Sequence, residues 1–477
     1  MSAAPRRCVV CIDVDYFYCQ VELLERPELH ERPVAVTQKY IIVTCNYVAR
    51  KYGVSKLESI DSALRKCPAL VLINGEDLTK YRAKNVAILQ ALRDWDDRVV
   101  VERAAMDEFF VDVTAVVRAR VATGDVPGDF AAHVVRAVDA GDEAVDERDL
   151  RVASHIAVAL RAAIHTATGL TSCSGTARVR LLAKIAVDLH KPDDSTTVLP
   201  SGILAPRVLG ERKVGDVYGI GRRMRRVLTA AGVHTVADVR ARTQADLVAL
   251  LGARDGEHVF AWSHGRDESP VKAFVAPTVI SVEESSVRMD RAHFSDIVAF
   301  MASDLADRIR LSLDLSPGHR PSSFFIRFRL FEARRGRTGT RRVPLLSADA
   351  VDLEKQGRAL WDKWIGRDGA VKNFAIGVTA FTADGKPHDG AAKDEDEDED
   401  EGDVFARRLT STSAAVASPP ARQQLRVDRI LGEAGAAKPP GPANVPKAVK
   451  SERSDEQADA ASARKARKLA LIGDLFG

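Results

Sequence analysis

Cysteine is scarce in this chain. Six cysteines occur among 477 residues, which is too few for a disulfide framework and is typical of free thiols in a reducing compartment. Cys8 and Cys11 form a CxxC, but there is no second pair to complete a zinc ribbon. We therefore interpret both as core cysteines that point to opposite faces of a strand, with a metal or redox pair as the alternative.

Long apolar runs are also missing. No stretch approaches the roughly 20 residues that a membrane-spanning helix needs, and the segment MSAAPRRC lacks the apolar core of a signal peptide. A chain of 477 residues is too long for a single core, and we expect about three or four domains. These absences predict an intracellular, multidomain protein without a membrane partner.

Net charge is small, at +3, but it is unevenly distributed. The run DEDEDEDE at 394–401 is wholly acidic, and Pro, Ala, Ser, Lys and Arg dominate beyond it. We predict disorder from about residue 386. The rest of the chain is then basic, and Arg320–Arg342 contains eight arginines and one glutamate. This asymmetry favours a polyanionic partner.

The basic segment has the pattern of a strand. Ile326 and Phe328 alternate with Arg327 and Arg329, and this period of two places one face in a core and the other in solvent. The letters RRGRTGT then supply a hairpin turn to a return strand that begins near Arg341. Arginines on one sheet face can follow phosphates. The alternative is a solvated edge strand that its charges protect from aggregation.

A second candidate for nucleic-acid binding is the turn Gly219-Ile220-Gly221. It precedes a predicted helix that continues to Gly232, and another helix is predicted from Thr235, so that the segment resembles a helix-hairpin-helix. Glycines in such a turn expose backbone N–H groups to a DNA phosphate at a helix N-terminus. Arginines crowd the same turn, at positions 222, 223, 225 and 226.

Two pairs of carboxylates follow apolar runs. The segment CVVCIDVDYFY delivers Asp13 and Asp15, and ERAAMDEFFVDVT places Asp107 and Glu108 at a turn between two predicted strands. Clustered carboxylates repel one another unless cations neutralise them. Oxygen ligands suit magnesium or manganese, and two such ions serve in-line displacement at a phosphorus atom. The alternative is a set of solvated acids at strand ends.

Several further segments accompany these motifs. They are DVDYFYCQVE, QKYIIVTCNYVARKYGV, CPALVLINGEDLTKYR, MDEFFVDVT, LLAKIAVDLHKP and YGIG. In this order, from about residue 7 to 385, the chain resembles the Y-family translesion DNA polymerases. The resemblance implies an α+β multidomain fold shaped as a right hand. Its parts would be a palm (1–17 and 80–206), small fingers (18–79), a thumb with the helix-hairpin-helix (207–276), a little-finger domain (279–385) and the disordered C-terminal tail (386–477).

The resemblance also implies a set of site residues. The catalytic metal-binding carboxylates would be Asp13, Asp107 and Glu108, with the Val14 carbonyl as a further ligand, for two Mg²⁺ ions or for Mn²⁺ in their place. The nucleotide-binding residues would be Tyr16 and Phe17 beside the triphosphate, Tyr18 as a steric gate against a ribose 2′-hydroxyl, and Tyr47, Arg50 and Lys191 on the phosphates. The template-base roof would be Gln38 and Ile41, and the DNA contacts would include Gly219, Gly221, Arg327 and Arg329.

The chain departs from the family pattern at three places. Met106 replaces a small residue ahead of the acid pair, and Val179-Arg180 replaces an asparagine-lysine pair at a local DNA contact. An acidic, Gly-rich insertion between Ala115 and Leu150 resembles an added palm loop. None of these departures removes an expected metal ligand.

Together these features predict error-prone, template-directed insertion of deoxynucleotides opposite damaged bases. The expected partners are primer-template DNA and deoxynucleoside triphosphates, and the basic ARKARK segment predicts nuclear localisation. In the tail, Leu469, Ile472, Leu475 and Phe476 have the spacing of a sliding-clamp-binding peptide, but the leading glutamine of such peptides is missing, which favours the alternative of a short amphipathic helical turn. For the whole chain, the alternatives are another specialisation within the family, such as an eta-like polymerase or a deoxycytidyl transferase, and a catalytically silent DNA-binding scaffold.

Overall fold

A computed structural model of the chain describes residues 6–136, 147–200, 203, 206–331 and 338–382. Part of the 115–150 insertion, most of the RRGRTGT turn and the whole predicted tail, with its acidic run and its clamp-like and ARKARK segments, lie outside these residues. The chain divides into two compact units. The first is Met1–Pro277 with Arg310–Pro317, and the second is Thr278–Ile309 with Gly318–Gly477.

The first unit mixes strands and helices. Its strands are β1 (Val9–Val14), β2 (Val34–Gln38), β3 (Ile41–Cys45), β4 (Val71–Asn74), β5 (Val100–Arg103), β6 (Glu108–Asp112), β7 (His133–Val135), β8 (Ser172–Ala177) and β9 (Ser195–Val198). Its helices are α1 (Phe17–Leu24), α2 (Tyr47–Lys51), α3 (Ile60–Lys66), α4 (Thr79–Arg93), α5 (Thr114–Ala122), α6 (Arg148–Thr168), α7 (Arg180–Ala186), α8 (Arg222–Ala230), α9 (Val236–Arg240), α10 (Gln244–Leu251) and α11 (Ala253–Ser263). The strands form a six-stranded sheet, in the order β5-β6-β1-β8-β9-β7, and a three-stranded sheet, in the order β3-β2-β4.

Strand β1 is buried on both faces. Cys8, just before it, and Val10 belong to the apolar cluster with α4 and α6, whereas Val9 and Cys11 belong to the cluster with α7. The prediction that Cys8 and Cys11 are core cysteines on opposite faces is confirmed, since both are buried and free. Because side chains alternate along a strand, Asp13 follows Cys11 onto the α7 face of the sheet.

Helix α7 lies very close to strand β8 at Gly175. A Cβ atom at this position would stand 2.1 Å from the carbonyl oxygen of Ala183 and 2.3 Å from the amide nitrogen of Val187. These are backbone atoms, which cannot rotate away as a flexible side chain can. Gly175 therefore fixes the height of α7, and of Lys184 on it, above the sheet.

The insertion contributes an edge strand to the six-stranded sheet. Strand β7 pairs in parallel with β9, and the rings of His133 and His190 stack with their centroids 4.0 Å apart. His133 Nε2 also lies 2.9 Å from Asp194 Oδ2. The segment expected as an added palm loop therefore contains a strand, and β7 covers backbone groups of β9 that would otherwise form an open edge.

The three-stranded sheet packs against the short helices α2 and α3. Ala35, Ile42, Ala49 and Ile60 are among the buried residues of this cluster. The side chain of Asn46 accepts a hydrogen bond from the Ala49 N–H and so caps the start of α2. A capped helix of only five residues can hold its side chains in place because tertiary packing supplies the stability that its length does not.

Helices α8 to α11 surround an apolar cluster that includes Leu228 and Val259. Helix α8 begins at Arg222, directly after the glycine turn, and α9 begins at Val236. Thr235 caps α9 through a reciprocal capping box. The two predicted helices, one directly after the turn Gly219-Ile220-Gly221 and the other from Thr235, are thereby confirmed as α8 and α9. Among the helices that the structure describes, none is long and apolar enough to cross a membrane.

The second unit is an antiparallel sheet with helices on one face. Its elements are β10 (Val279–Met289), α12 (Arg291–Leu315), β11 (Arg320–Leu330), β12 (Thr338–Pro344), α13 (Ala350–Trp364) and β13 (Val371–Thr382), and the sheet order is β10-β13-β11-β12. The last residues of α12 are counted with the first unit. Phe294 of α12 stacks on Trp361 of α13 at 4.2 Å and meets Phe374 of β13 at 4.9 Å, between ring centroids. The predicted strand and its return strand are confirmed as β11 and β12.

We expect Gly175→Ala to lower the free energy of unfolding by about 2–3 kcal/mol, because the added methyl group overpacks against backbone. Chemical denaturation measures this difference. Gly128→Ala is the control, since nothing lies within 4 Å of a Cβ atom there, and we expect a change below about 0.5 kcal/mol. Equal stability of the two variants would contradict the close approach of α7 to β8.

Candidate active site

The ends of β1 and β6 bring the predicted carboxylates together. Asp13 and Glu108 are direct partners across these antiparallel strands, so both side chains lie on the α7 face of the sheet. The Val14 N–H donates to the carbonyl oxygen of Asp107 over 2.8 Å. This hydrogen bond holds the acidic turn against the end of β1. Strand register thus brings Asp13 beside an acid pair that lies far away in the sequence.

Two lysines bind these carboxylates. Lys184 Nζ lies 2.6 Å from Glu108 Oε2 and 3.3 Å from Asp13 Oδ2. Lys191 Nζ lies 2.5 Å from Asp13 Oδ1 and 2.9 Å from Asp188 Oδ1. Burial opposes the charge of both lysines, yet the neighbouring acids outweigh it and raise the pKa of each. Both ammonium groups therefore remain charged at neutral pH.

Part of the acidic charge is not compensated by these lysines. Burial, and then the charges of Asp13 and Glu108, raise the pKa of Asp107 to about 6. Glu108 Oε1 is buried and has no hydrogen-bond partner among the described residues. Carboxylate oxygens in such surroundings suit a hard divalent cation, which prefers oxygen ligands. The donor set therefore fits magnesium or manganese.

The same side chains do not already form a ligand cage. Within the described ranges, no group of three or more His, Cys, Asp or Glu side chains stands in positions that could hold a metal ion. Lys184 and Lys191 instead contact oxygens of Asp13 and Glu108.

Asp15 does not join the cluster. It is buried, and its carboxylate accepts hydrogen bonds from the Tyr47 hydroxyl over 3.0 Å and from the Asp193 amide over 2.9 Å. Grouping Asp15 with the metal-binding carboxylates is therefore wrong. The reason is that β1 ends at Val14 and the chain turns at Tyr16, which has a left-handed φ of 33°.

Tyr16, Tyr47 and Arg50 form one group around this buried carboxylate. The Arg50 guanidinium lies 4.6 Å from the centroid of the Tyr47 ring, and the Tyr16 ring meets the Tyr47 ring edge-on at 5.2 Å. Burial and the charge of Asp15 raise the pKa of Tyr47, so its hydroxyl keeps its proton and remains a hydrogen-bond donor. The structure thus places three of the predicted nucleotide-binding residues together, with Asp15 fixing the central one.

Phe17 and Tyr18 begin helix α1 and have different surroundings. Phe17 is 2% exposed and packs in the same core cluster as Ile12, so its side chain is not presented to a ligand. The Tyr18 ring packs edge-on against Tyr81 at 4.4 Å. Burial, and then the charge of Asp107, raise the pKa of Tyr18. The hydroxyl of Tyr18 therefore lies within the electrostatic influence of Asp107.

Gln38 and Ile41 form the tip of the three-stranded sheet. They are direct partners at the turn from β2 to β3, where Lys39 has a φ of 52°. Gln38 Nε2 donates to the carbonyl oxygen of Gly75 over 2.9 Å. This contact fixes the amide at the hairpin tip and leaves Ile41 partly exposed.

The two glycines of the turn Gly219-Ile220-Gly221 have different structural roles. Gly219 has a φ of 92°, and a Cβ atom there would stand 2.7 Å from the Trp262 ring. Gly221 is the N-cap residue of α8, and no atom lies within 4 Å of its ideal Cβ position. Gly219 is thus required by conformation and packing, whereas Gly221 leaves space beside the first turn of α8.

Arg327 and Arg329 share one face of the second unit's sheet. By register Arg342 joins them on that face, which lies away from α12 and α13. Arg341 does not, and its guanidinium lies 4.3 Å from the centroid of the Trp364 ring of α13. The prediction of a common arginine face is therefore wrong for Arg341, because adjacent residues of a strand point to opposite faces.

The Val179-Arg180 departure has a structural explanation. Arg180 is 9% exposed, and its Nη2 donates to Glu102 Oε1 over 2.8 Å. Its guanidinium also lies 4.5 Å from the centroid of the Phe110 ring. Arg180 is therefore an internal ion-pair partner.

Sequence reasoning missed two residues that support the acidic cluster. One is Lys184, and the other is Asn85, whose Nδ2 donates to the carbonyl oxygen of Met106 over 2.8 Å. Each had a signal. Lys184 is the single charged residue in the apolar run 181–187, and Asn85 is a buried amide in α4. Buried polar groups need partners, but the sequence does not say which partners these are.

We expect Asp107→Asn to raise the free energy of unfolding by roughly 2 kcal/mol at pH 7 in the presence of a chelator. The pKa of Asp107 is about 6 against an ordinary 3.8, each pKa unit corresponds to about 1.4 kcal/mol, and the partial exposure of the side chain reduces the full value. The folded protein holds the Asp107 proton more tightly than the unfolded chain does. The stability of the wild type therefore falls as pH rises from about 4 to about 6. The gain should therefore shrink as pH falls through 6 and vanish near pH 4. A variant less stable than wild type at pH 7 would contradict this account.

Comparisons with known proteins agree with this geometry. A family model described as the impB/mucB/samB family matches residues 12–188. DNA polymerase iota of Homo sapiens is 36% identical over 287 residues, which cover 59% of this chain and 38% of that protein. DNA polymerase iota of Mus musculus is 36% identical over 283 residues, covering 58% and 39%. DNA polymerase IV of Francisella tularensis subsp. holarctica is 30% identical over 283 residues, covering 58% of this chain and 71% of that protein.

The chain thus spans about two fifths of the length of the polymerase iota relatives and more than two thirds of the polymerase IV relative. The family match begins at Ile12, one residue before the first acid of the cluster, and ends at Asp188, an ion-pair partner of Lys191. It therefore contains the three clustered carboxylates and Lys184. The chain belongs to the impB/mucB/samB family, the Y family of DNA polymerases.

Proposed function

We propose that this protein is a DNA-directed DNA polymerase that inserts deoxynucleotides opposite damaged template bases. The observation that carries the proposal is the convergence of Asp13, Asp107 and Glu108 at the ends of two adjacent strands, with a buried and unpartnered oxygen on Glu108. Such a cluster is costly for a protein that only binds DNA. A catalytically silent scaffold would have no use for it.

Y-family polymerases use divalent metal ions. In this chain Asp13, Asp107, Glu108 and the Val14 carbonyl would hold two Mg²⁺ ions, or Mn²⁺ in their place. When bound, such ions stabilise the charge on the attacking and leaving oxygens.

The remaining chemistry belongs to side chains that bind and orient the nucleotide. Tyr47, Arg50 and Lys191 would bind the triphosphate, and the positive charges of Arg50 and Lys191 would offset its negative charge as pyrophosphate leaves. Tyr16 and Phe17 would flank it, the latter by its backbone.

Selection of the nucleotide would use two further parts of the first unit. Tyr18 would act as the steric gate beside the sugar, where its aromatic ring leaves no room for a 2′-hydroxyl. Gln38 and Ile41 would form the roof over the templating base. Gln38 is supported in this role by its hydrogen bond to Gly75, which holds the hairpin tip in one conformation.

The parts of the hand follow from these roles. Residues 1–17 and 80–206 would be the palm, 18–79 the fingers, 207–276 the thumb, 279–385 the little finger and 386–477 a tail outside the described residues. Primer-template DNA would contact Gly219 and Gly221 at the start of α8, and Arg327 and Arg329 on the sheet of the second unit. The ARKARK segment supports nuclear localisation, and the tail's apolar spacing supports a sliding-clamp contact.

Within the family we propose the iota branch. The segments QKYIIVTCNYVARKYGV and LVLINGEDLTKYR resemble that branch most, and three polymerase iota relatives are 33–36% identical to this chain. The polymerase IV relative is 30% identical. An iota-like roof presses on the templating base, so that the accuracy of insertion depends strongly on which base is copied.

We expect Asp107→Ala with Glu108→Ala to reduce primer extension by at least about a thousandfold, because the oxygens that would hold both metals are removed. Single-nucleotide insertion opposite each of the four template bases, with Mg²⁺ and with Mn²⁺, measures the loss. Binding of primer-template should be nearly unchanged in the same variant. Substantial extension by the double variant would remove these residues from catalysis.

We expect Arg327→Ala with Arg329→Ala to weaken primer-template binding for every sequence and to reduce the salt dependence by about two released counterions. The control is Lys355→Ala with Lys363→Ala, which removes the same charge from α13, on the opposite side of the sheet. Titrations at several salt concentrations compare the two. An equal loss in both variants would assign the effect to net charge, and no change in the arginine variant would assign its face to another partner.

A further inference from the structure

Lys184 has an unusual position for a charged side chain. It projects from α7, whose other residues are buried, and its side chain is 17% exposed. Its ammonium group contacts Glu108 and Asp13 at once, over 2.6 and 3.3 Å. One lysine therefore bridges two of the three carboxylates proposed as metal ligands.

The fold restricts where this ammonium group can go. Gly175 brings α7 so close to β8 that the helix cannot move further onto the sheet without a backbone clash. The apolar residues on either side of Lys184 pack in the cluster with Cys11 and Phe110. The helix backbone is thus fixed, and only the four-carbon stem of Lys184 can swing the charge away.

A divalent cation and this ammonium group would compete for the same oxygens. Magnesium lies about 2.1 Å from a carboxylate oxygen. An ion on Glu108 Oε2 would therefore lie within about 5 Å of Lys184 Nζ, which is already 2.6 Å from that oxygen. At such a separation two positive charges repel strongly in a partly buried site. The ion gains the carboxylates fully only when the lysine withdraws.

We propose that Lys184 competes with divalent cations for Asp13 and Glu108 and thereby sets how tightly the active site binds metal. This inference rests on the proposed metal site. Lys184 neutralises the carboxylates when no cation does so, and it weakens the hold on any cation that arrives. It is a positioning residue, since it acts on the carboxylates.

Lys191 differs from Lys184 in its ion-pair partners. It divides its contacts between Asp13 and Asp188, whose side chain is 50% exposed, and it follows the helix on a loop. Its charge is shared with an acid outside the cluster and is proposed to meet phosphate. Among the described residues, the ion pairs of Lys184 are made with proposed metal ligands alone.

The test is Lys184→Met, which keeps an unbranched side chain that is one atom shorter and removes the charge. Binding of Mn²⁺ alone, without DNA or nucleotide, is measured by titration calorimetry on the full chain. We expect the dissociation constant to fall by about tenfold or more, because a repelling charge is gone. We also expect the midpoint of thermal unfolding in chelator to fall and its rise on adding Mn²⁺ to exceed that of wild type.

Two variants serve as controls. Lys84→Met removes an ammonium group on α4 that donates to the carbonyl oxygen of Thr168 on α6. It should leave Mn²⁺ affinity unchanged. Lys184→Arg restores a cation at the same position, and it should return the affinity toward that of wild type. A merely structural role for Lys184 would lower stability without tightening metal binding.

A measurement on the wild-type protein covers the case in which Lys184→Met does not fold. Amine labelling followed by peptide mass spectrometry compares Lys184 in chelator and in Mn²⁺, with Lys84 as the internal reference. We expect labelling of Lys184 to rise severalfold with Mn²⁺. Unchanged labelling, unchanged or weaker Mn²⁺ affinity in a folded Lys184→Met, or no Mn²⁺ binding by either protein would overturn the proposal. Primer extension reports on the proposed function separately, since extension with an unaltered metal affinity refutes only the role of Lys184.

Discussion

Repulsion among carboxylates at one end of the six-stranded sheet is the constraint on which the rest of the site depends. Asp13 and Glu108 face each other across β1 and β6, and burial, together with the charges of these two acids, raises the pKa of Asp107 to about 6. Like charges directly opposite one another destabilise a sheet. Two lysines offset this repulsion by forming ion pairs with the acids, Lys184 from a helix and Lys191 from a loop. Without them, an arrangement suited to binding cations would oppose folding.

Asp15 shows that spacing alone does not decide what a carboxylate does. It lies two residues after Asp13, the interval that returns a side chain to the same face of a strand. The left-handed turn at Tyr16 ends that regularity, and Asp15 becomes a buried acceptor for Tyr47 and for the loop that carries Lys191. One short segment thus supplies both the acid that would bind metal and the acid that orders the residues proposed to bind phosphate.

Part of the fold followed from periodicity and turn residues, and the division into domains was expected from the family resemblance alone. The alternation of Ile326 and Phe328 with arginines predicted β11, and the glycine turn before Arg222 predicted α8. The errors arose where a residue's role depends on a distant neighbour. Strand β7 exists because β9 offers it an edge, and the ion-pair partners of Lys184 come from β1 and β6, some 170 and 76 residues away in sequence. No local pattern carries that information.

The positive charges of the two units differ in their surroundings. In the first unit Lys184 is enclosed beside acids, and in the second unit several arginines share one face of a sheet. Lys184 is enclosed, and its charge is compensated by the carboxylates of Asp13 and Glu108 within the protein. On the second unit's sheet, burial lowers the pKa of Arg327, and the charge of neighbouring Arg342 lowers it further, while Glu283 acts in the opposite sense. An arginine remains charged under these conditions. A face on which arginines reinforce one another's field gains more from a polyanion than from any single internal acid. The lysine charge is compensated by acids of the first unit, and the arginine charge on the second unit's sheet is the part that we propose to contact DNA.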